Sequence, residues 1–145
     1  MIFIAEQKPI TIIDAADRVL GRLASIVAKK LLNGEEIVIV NAERAVISGK
    51  PENTNEYFLG KIHRGDRLKG PFYPRPPEQI FRRVVRGMLP WRKSRGQEAF
   101  RRLKVFSGQP AQFADAKKFG KAAEQLRCKI ETLKDVSAAL GVKLK

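Results

Sequence analysis

The sequence from Ile10 to Val40 reads ITIIDAADRVLGRLASIVAKKLLNGEEIVIV and contains two β-branched runs separated by a helical pattern. The first run, residues 10–13, predicts a short buried strand, and the second, residues 37–40, lacks the polar alternation of a half-exposed strand. Between them apolar residues recur every three or four positions, which predicts an amphipathic helix over about 19–32 that ends at Asn33-Gly34. Strand, helix and strand in this order predict a right-handed parallel crossover and an α/β fold.

The segments outside this unit carry further signals for helices, strands and one long loop. Residues 60–77 hold three glycines, four prolines and five Lys or Arg, which predict a long basic loop. The hydrophobic pattern elsewhere predicts a third, weaker strand at 45–47, short helices at about 51–59 and 96–102, a clear helix from Pro77 to Pro90, a strand at 103–106, and a last helix that begins near Thr132 and Asp135 and ends at Leu140.

Length and composition are those of one globular domain spanning residues 1–145. The chain is 43% hydrophobic and long enough to bury a core. Cys128 is the only cysteine, which excludes an intrachain disulfide and a cysteine zinc site and fits a reducing, intracellular setting. No apolar run reaches the length of about 18 residues that spans a membrane. Residues 1–6 lack a basic leader and a long apolar core, so we expect no secretory signal.

Positive charge is concentrated in the stretch from Lys61 to Lys104. It holds fourteen Lys or Arg and three acids, and therefore carries eleven of the fourteen net positive charges of the chain. Such local charge repels itself in a compact state, so we expect an external polyanion to neutralise it. Nucleic acid is the commonest polyanion in a cell, and the stretch therefore predicts a nucleic-acid-binding surface.

The helix predicted at 77–90 places this charge on one face. Arg82, Arg83 and Arg86 fall on the arc opposite its apolar residues, with no acid between them. An ordinary solvated face is the alternative interpretation. Nucleic-acid contact is preferred because the guanidinium fork binds two phosphate oxygens at once and because a basic loop precedes the helix.

Trp91 follows this helix and lies beside Arg92, Lys93 and Arg95 in the sequence. Its ring could stack on a base splayed out of single-stranded RNA. It could equally cover the core beneath the preceding helix, because tryptophan is highly buried on average. The sequence leaves both interpretations of Trp91 open.

Side chains that could carry chemistry have simpler explanations. His63 is the only histidine, which excludes a histidine metal cluster and favours a hydrogen-bonding loop residue. Asp14 and Asp17 fit turn and cap roles. Gly49-Lys50-Pro51 lacks the first glycine and the final Ser or Thr of a phosphate-binding loop. Cys128 has no catalytic partner signature. The sequence therefore predicts no catalytic, metal or cofactor site.

Two blocks of sequence hold a series of short motifs over about Ile12 to Gly108. The first block holds Asp14-Ala15, Leu20-Gly21-Arg22-Leu23-Ala24-Ser25, Val38-Ile39-Val40-Asn41-Ala42-Glu43 and Ser48-Gly49, and the second holds Val85-Arg86-Gly87-Met88-Leu89-Pro90, Gly96-Gln97 and Leu103-Lys104-Val105-Phe106-Ser107-Gly108. In this order and at this separation the motifs resemble the universal large-subunit ribosomal protein thirteen family. The segment 64–77, with Gly70-Pro71-Phe72, resembles the archaeal and eukaryotic branch of that family.

The resemblance implies a three-layer α/β/α single domain around a mainly parallel sheet of about four strands, with a long basic loop and a helical C-terminal tail at 109–145. It implies a cytoplasmic, structural constituent of the large ribosomal subunit that is not an enzyme. The implied partners are large-subunit rRNA and neighbouring ribosomal proteins, with no membrane and no small-molecule substrate. Within the basic segment 61–104 the expected RNA-binding residues are Lys61, Arg64, Arg67, Lys69, Arg75, Arg82, Arg83, Arg86, Trp91, Arg92, Lys93, Arg95, Arg101, Arg102 and Lys104.

Other functions compete with this interpretation. An RNA-binding translational regulator acting off the ribosome is the main alternative, although the chain shows no RNA-recognition signature. A nucleotide-using enzyme on a doubly wound sheet lacks phosphate-loop glycines and catalytic carboxylates. Binding to an anionic membrane is disfavoured, because the basic helix is expected to bury its apolar face in a core.

Overall fold

The computed structural model describes residues 9–143, and its core is built from short strands and five α-helices. In chain order the elements of this part are β1 (Ile10–Asp14), α1 (Leu20–Leu32), β2 (Glu36–Val40), β3 (Val46–Ser48), α2 (Pro51–His63), α3 (Pro77–Met88), α4 (Ser94–Arg101), β4 (Leu103–Val105), β5 (Lys117–Lys118), β6 (Ile130–Thr132) and α5 (Leu133–Ala139).

The main sheet has four parallel strands in the order β4-β2-β1-β5. β1 and β2 pair in register from Ile10 opposite Glu36 to Asp14 opposite Val40. The predicted α/β class with a mainly parallel four-stranded sheet is therefore confirmed. Its fourth strand is β5, however, because β3 leaves the sheet and pairs antiparallel with β6. The exposed pair Lys117-Lys118 gave no hydrophobic signal for β5, whose contribution to the sheet is backbone pairing.

Helix α1 forms as its spacing predicts. The six apolar residues on its predicted inner face are all buried, and they join the core shared by β1, β2 and the helices α3 and α4. Gly34 follows the helix with φ +95° and donates its N–H to the Leu31 carbonyl. Only glycine adopts this left-handed conformation without strain, which explains why α1 stops here.

Helix α2 is longer than predicted and runs to His63 instead of ending near Leu59. Gly60 had suggested a break, but Tyr57 and Lys61 lie one turn apart, and the Lys61 Nζ sits 4.4 Å from the Tyr57 ring centroid across it. The contact stabilises the extra turn. Two predictions are thus corrected: His63 belongs to a helix instead of a loop, and the basic loop covers only residues 64–76.

The carboxyl ends of the parallel strands carry a polar network that is satisfied within the fold. Asp14 Oδ1 accepts hydrogen bonds from the Ala16 backbone N–H (2.9 Å) and from Asn41 Nδ2 (3.0 Å), as a turn residue does. Lys118 Nζ lies 3.9 Å from Asp14 Oδ2. The turn role predicted for Asp14 is therefore confirmed, and its carboxylate serves the fold.

The last helix begins with the predicted cap. The Thr132 hydroxyl accepts a hydrogen bond from the Asp135 backbone N–H (3.2 Å) and donates one to Asp135 Oδ2 (2.7 Å). Leu133 and Val136 then bury completely in the shared core. The cap orients a short helix that has little stability of its own.

We expect Thr132→Ala to lower the free energy of unfolding by about 0.5–2 kcal/mol, because an N–H of the first turn of α5 loses its acceptor. Thr132→Ser keeps the hydroxyl and should stay within about 0.5 kcal/mol of the wild type. Urea unfolding followed by circular dichroism measures both variants. Equal losses for Ala and Ser would contradict the capping role.

Glu131 on β6 is a buried carboxyl with an incomplete set of partners. Its side chain is 7% exposed, and Oε1 accepts a hydrogen bond from Asn55 Nδ2 (3.1 Å). Glu131 Oε2 and Asn55 Oδ1 are both buried without a partner. Burial raises the pKa of the Glu131 carboxyl, the nearby Asp135 raises it further, and the Asn55 hydrogen bond partly offsets both.

We expect Glu131→Gln to raise the free energy of unfolding at pH 7 by about 1–3 kcal/mol, because the new amide can donate to Asn55 Oδ1 and leaves no buried charge. The folded state holds the Glu131 proton more tightly than the unfolded chain does. The stability that Glu131 contributes is thus fully present below the unfolded pKa and is lost as pH rises through the raised folded pKa.

The difference between Glu131→Gln and the wild type should therefore shrink below about pH 4, where both side chains are neutral. Urea unfolding across this pH range measures it. The exposed Glu124→Gln is the matched control and should show no comparable gain at pH 7. A Glu131→Gln variant less stable than the wild type at pH 7 would refute this account of the pair.

Candidate nucleic-acid interface

The basic charge of residues 61–104 is not neutralised within the described part of the chain. The ion pairs within 4.0 Å in residues 9–143 are Lys30–Glu35, Arg44–Glu43 and Lys118–Asp14, all outside this segment. Two of the segment's acids serve other partners: Glu78 Oε2 accepts from the Ser107 hydroxyl (2.7 Å), and Asp66 Oδ1 accepts from the Leu68 N–H (3.2 Å). The segment therefore presents its net charge of +11 to an outside partner.

Helix α3 carries the centre of this surface and is amphipathic as predicted. Ile80, Phe81 and Val85 are fully buried, which fixes the rotation of the helix about its axis. Met88 had been placed on the same apolar face, but its side chain remains 43% exposed at the helix end. The rotation turns Arg82, Arg83 and Arg86 away from the core, with Arg83 exposed and the other two half-buried.

Two of these arginines are held against aromatic rings. The Arg82 guanidinium carbon lies 4.7 Å from the Phe100 ring centroid, and that of Arg86 lies 4.1 Å from the Trp91 centroid. Trp91 and Phe100 contact each other edge to face at 5.3 Å. Stacking of this kind orients a guanidinium while leaving its outer N–H groups available to phosphate oxygens. The two arginines are thus pre-positioned donors.

The packing of Trp91 bears on the two interpretations that its sequence left open. The half-buried ring has Arg86 stacked on it and Phe100 against it, and so joins α3 to α4. Gly96 lets the turn at Pro90 approach α4 closely, since a Cβ at position 96 would clash with the Pro90 backbone. Trp91 therefore has the packing role, and stacking of Trp91 on a base remains a prediction.

A groove of about 780 Å³ lies between α3 and the loop 64–76, and we call it the basic groove. Its walls combine cations with aromatic rings, among them Phe72, Tyr73 and Phe100. Six of the residues predicted from the sequence are brought together here, namely Lys61, Arg64, Arg82, Arg83, Arg86 and Trp91.

Tyr73 forms part of the groove wall and stays neutral. Burial raises the pKa of its phenol above the ordinary value, while the nearby Lys61 and Arg83 partly offset this rise. Lys61 Nζ lies 5.3 Å from the Tyr73 ring centroid. The groove thus offers a phenol O–H beside two cations, which suits hydrogen bonding to phosphate or sugar oxygens.

The loop 64–76 projects a short hairpin from one side of the groove. Asp66 and Gly70 exchange two backbone hydrogen bonds of 3.0 Å each, which close a tip made of Arg67, Leu68 and Lys69. A second cleft of about 380 Å³ beside this hairpin is lined by Arg64, Arg67 and Arg75, among others. The loop residues predicted to bind RNA therefore lie next to the basic groove.

The remaining predicted residues lie on and around α4 and β4. The exposed residues are Arg92 and Lys93 in the turn before α4, Arg101 at the end of α4, and Lys104 in β4. Arg102 is different, because its Nη2 donates to the Leu31 carbonyl (2.8 Å) at the end of α1. Arg95 Nη2 lies 3.5 Å from the Leu32 carbonyl at the same helix end.

Arg102 therefore adds a second donor to the Leu31 carbonyl, which already accepts the Gly34 N–H, at the negative end of the α1 dipole. The sequence interpretation missed this structural role. RNA contact by Arg95 and Arg102 remains a prediction. The groove rings Phe72, Tyr73 and Phe100 were missed as well. No local sequence pattern marked these rings, because they come together only when the loop 64–76 and α4 pack beside α3.

Other kinds of site find no support in residues 9–143. No group of three or more His, Cys, Asp or Glu side chains is arranged to hold a metal ion in this part of the chain. None of its helices combines the length and apolarity needed to cross a membrane.

Comparison with known proteins gives consistent matches. The family model described as Ribosomal protein L13 matches residues 8–112. A Methanopyrus kandleri protein is 56% identical over 115 residues, which cover 76% of this chain and 72% of that protein. Relatives from Archaeoglobus fulgidus (50% identity, 90% and 87% coverage) and Haloarcula marismortui (41%, 95% and 95%) are similar over more of their length. All three are named large ribosomal subunit protein uL13.

Proposed function

Because the chain belongs to the ribosomal protein L13 family, we propose that it is a structural constituent of the large ribosomal subunit that binds and stabilises the subunit's rRNA. The family role is structural and not enzymatic. The protein is located in the large subunit in the cytoplasm, in association with rRNA and with other ribosomal proteins.

One observation carries this proposal: fourteen Lys and Arg of residues 61–104 have no carboxylate partner within 4.0 Å in the described chain. Leaving so many like charges together costs folding free energy, and phosphate groups offset that cost when they bind. The rigid α/β core then holds these charged side chains at fixed positions facing a folded RNA.

The mechanism is the bridging of separate RNA helices. The cations on α3, in the turn before α4 and at the start of α4 bridge phosphates of separate RNA helices, while Lys61 and the cations of the loop 64–76 thread between those helices. Specificity comes from the shape of the rRNA fold, because the narrow major groove of an A-form helix does not admit side chains. The contacting residues are Lys61, Arg64, Arg67, Lys69, Arg75, Arg82, Arg83, Arg86, Arg92, Lys93, Arg95, Arg101, Arg102 and Lys104.

Sedimentation of a cell lysate through a sucrose gradient tests the assignment. A tagged copy of the chain should migrate with the large subunit and remain there when low magnesium dissociates the two subunits. Recovery of the protein at the top of the gradient, apart from both subunits, would contradict a ribosomal role and favour the translational regulator that acts off the ribosome.

A further inference from the structure

We propose that the basic groove holds one unpaired nucleotide of the rRNA, whose base stacks on the ring of Phe72. This proposal rests on the rRNA-binding function and specifies what that function does at one site. Phosphate contacts alone would need only a convex basic surface, and the groove is a concave feature that they do not explain.

The size and lining of the groove suit a single nucleotide. Its volume of about 780 Å³ lies within the range of about 300–1,000 Å³ typical of small-molecule sites, so a nucleotide fits and a duplex does not. Its wall combines aromatic rings with the cations Lys61, Arg64 and Arg83. Proteins that bind unpaired nucleotides use this combination, with rings for the base and cations for the phosphate.

Phe72 is the ring best placed to receive the base. Its side chain is 75% exposed, although a large apolar ring is costly to leave in water. The ring is held beside Gly70, where an added Cβ would lie 3.1 Å from Phe72 Cδ2. The Phe72 ring therefore lines the groove with one edge against the Gly70 backbone and most of its surface exposed to solvent.

The other rings of the groove already have partners. The Arg86 guanidinium stacks on the Trp91 ring, and the Arg82 guanidinium stacks on the Phe100 ring. In both pairs the guanidinium carbon lies under 5 Å from the ring centroid. Tyr73 lies near the Lys61 ammonium and 6.1 Å from the Phe58 ring. Within residues 9–143, no ring or cation is stacked on Phe72.

The groove also offers cationic side chains that can bind the phosphate of the same nucleotide. Arg64 and Arg83 line the groove with exposed side chains, and neither has an ion-pair partner in the described chain. A base on Phe72 brings its phosphate within the same groove as these two guanidinium groups. Charge and shape thus favour a nucleotide over an apolar or cationic occupant.

The test is equilibrium binding of the full chain to large-subunit rRNA for four variants across a salt series. Phe72→Ala should weaken binding by about tenfold, as expected for the loss of one stacked base, without changing the slope of log affinity against log salt. Phe72→Trp should bind like the wild type. Phe72→Leu keeps an apolar side chain but no ring, and should lose about as much as Phe72→Ala.

Leu68→Ala is the matched control, because Leu68 is an apolar residue of the same loop that is 85% exposed, and it should bind like the wild type. Ultraviolet irradiation of the wild-type complex should also cross-link a nucleotide to the peptide that contains Phe72. Wild-type affinity for Phe72→Ala, or for Phe72→Leu, would overturn the stacking proposal while leaving rRNA binding intact. Failure of the wild type itself to prefer rRNA would instead refute the proposed function.

Discussion

Changing Arg82, Arg83 and Arg86 together to glutamine should lower the affinity for large-subunit rRNA by about a thousandfold at roughly 0.15 M salt. Each arginine lost from a phosphate contact costs about tenfold, which corresponds to one charge-assisted hydrogen bond. The slope of log affinity against log salt should also fall by about three units, because three fewer phosphates are neutralised. Filter binding or fluorescence anisotropy across a salt series measures both quantities.

The large effect follows from how these arginines are held. Arg82 and Arg86 are pre-oriented on the rings of Phe100 and Trp91, so they lose little conformational entropy when they bind phosphate. Arg86→Ala alone should weaken binding mildly, by about the tenfold expected for one arginine, since neighbouring cations remain. Glutamine retains much of the aliphatic stem of arginine, which keeps the helix surface covered in the triple variant.

The matched control removes the same charge elsewhere. Arg22, Lys29 and Lys134 are exposed, lie outside the basic segment, and when changed to glutamine leave the same net charge of +11 as the first triple variant. The control should lose less than about tenfold in affinity, since long-range attraction between exposed charges is largely screened at this salt concentration. Equal losses for the two triple variants, with both folds intact, would refute a localised interface on α3.

Phe81→Ala should lower the free energy of unfolding by about 3–5 kcal/mol, the largest stability change expected for a single site on α3. Phe81 is fully buried, and its helix α3 packs against α1, β4 and α5. Truncation of the side chain leaves a cavity in the core that packs α3 onto the rest of the domain. Guanidinium unfolding at pH 7 measures the loss, and an unchanged m-value shows that the same cooperative transition is being followed.

Met88→Ala is the comparison on the same helix and should cost less than about 1 kcal/mol, because that side chain is 43% exposed. A Phe81→Ala loss no larger than the Met88→Ala loss would mean that α3 is not anchored by this face. Burial of this apolar face would then not explain the rotation of α3 about its axis that directs Arg82, Arg83 and Arg86 into the groove.

The central unit of the fold could be predicted because local pattern and tertiary packing agree in it. In the β1-α1-β2 segment the apolar run 37–40 of β2 is buried throughout, and the apolar spacing of α1 matches its buried face. The predicted burial of the run 10–13 is only partly correct, because Ile13 is buried while Ile10 at the start of β1 is exposed. The same agreement made α3 predictable, since its buried and basic residues alternate with helical period. Thr132 and Asp135 gave the start of α5, because a cap depends only on residues three apart.

The features that sequence did not predict depend on distant contacts. β5 is a pair of exposed lysines held by backbone bonding to β1, and β3 joins β6, which lies more than eighty residues further along the chain. In the sequence Arg102 is indistinguishable from the other basic residues of the segment, because its contact with the Leu31 carbonyl depends on the tertiary fold. The groove itself arises only when the loop 64–76 folds beside α3, so its aromatic wall had no local signature.

Equilibrium binding of the purified protein to large-subunit rRNA and to an unrelated structured RNA, across a salt series, tests the central claim most directly. With about six to eight phosphates neutralised, log affinity against log salt should slope near −5 to −7 for both RNAs. The account predicts that the rRNA keeps a large affinity advantage at physiological salt, because its fold matches the fixed positions of the cations. Equal binding of the two RNAs, lost together as salt rises, would contradict a built rRNA site and leave a general polyanion-binding surface.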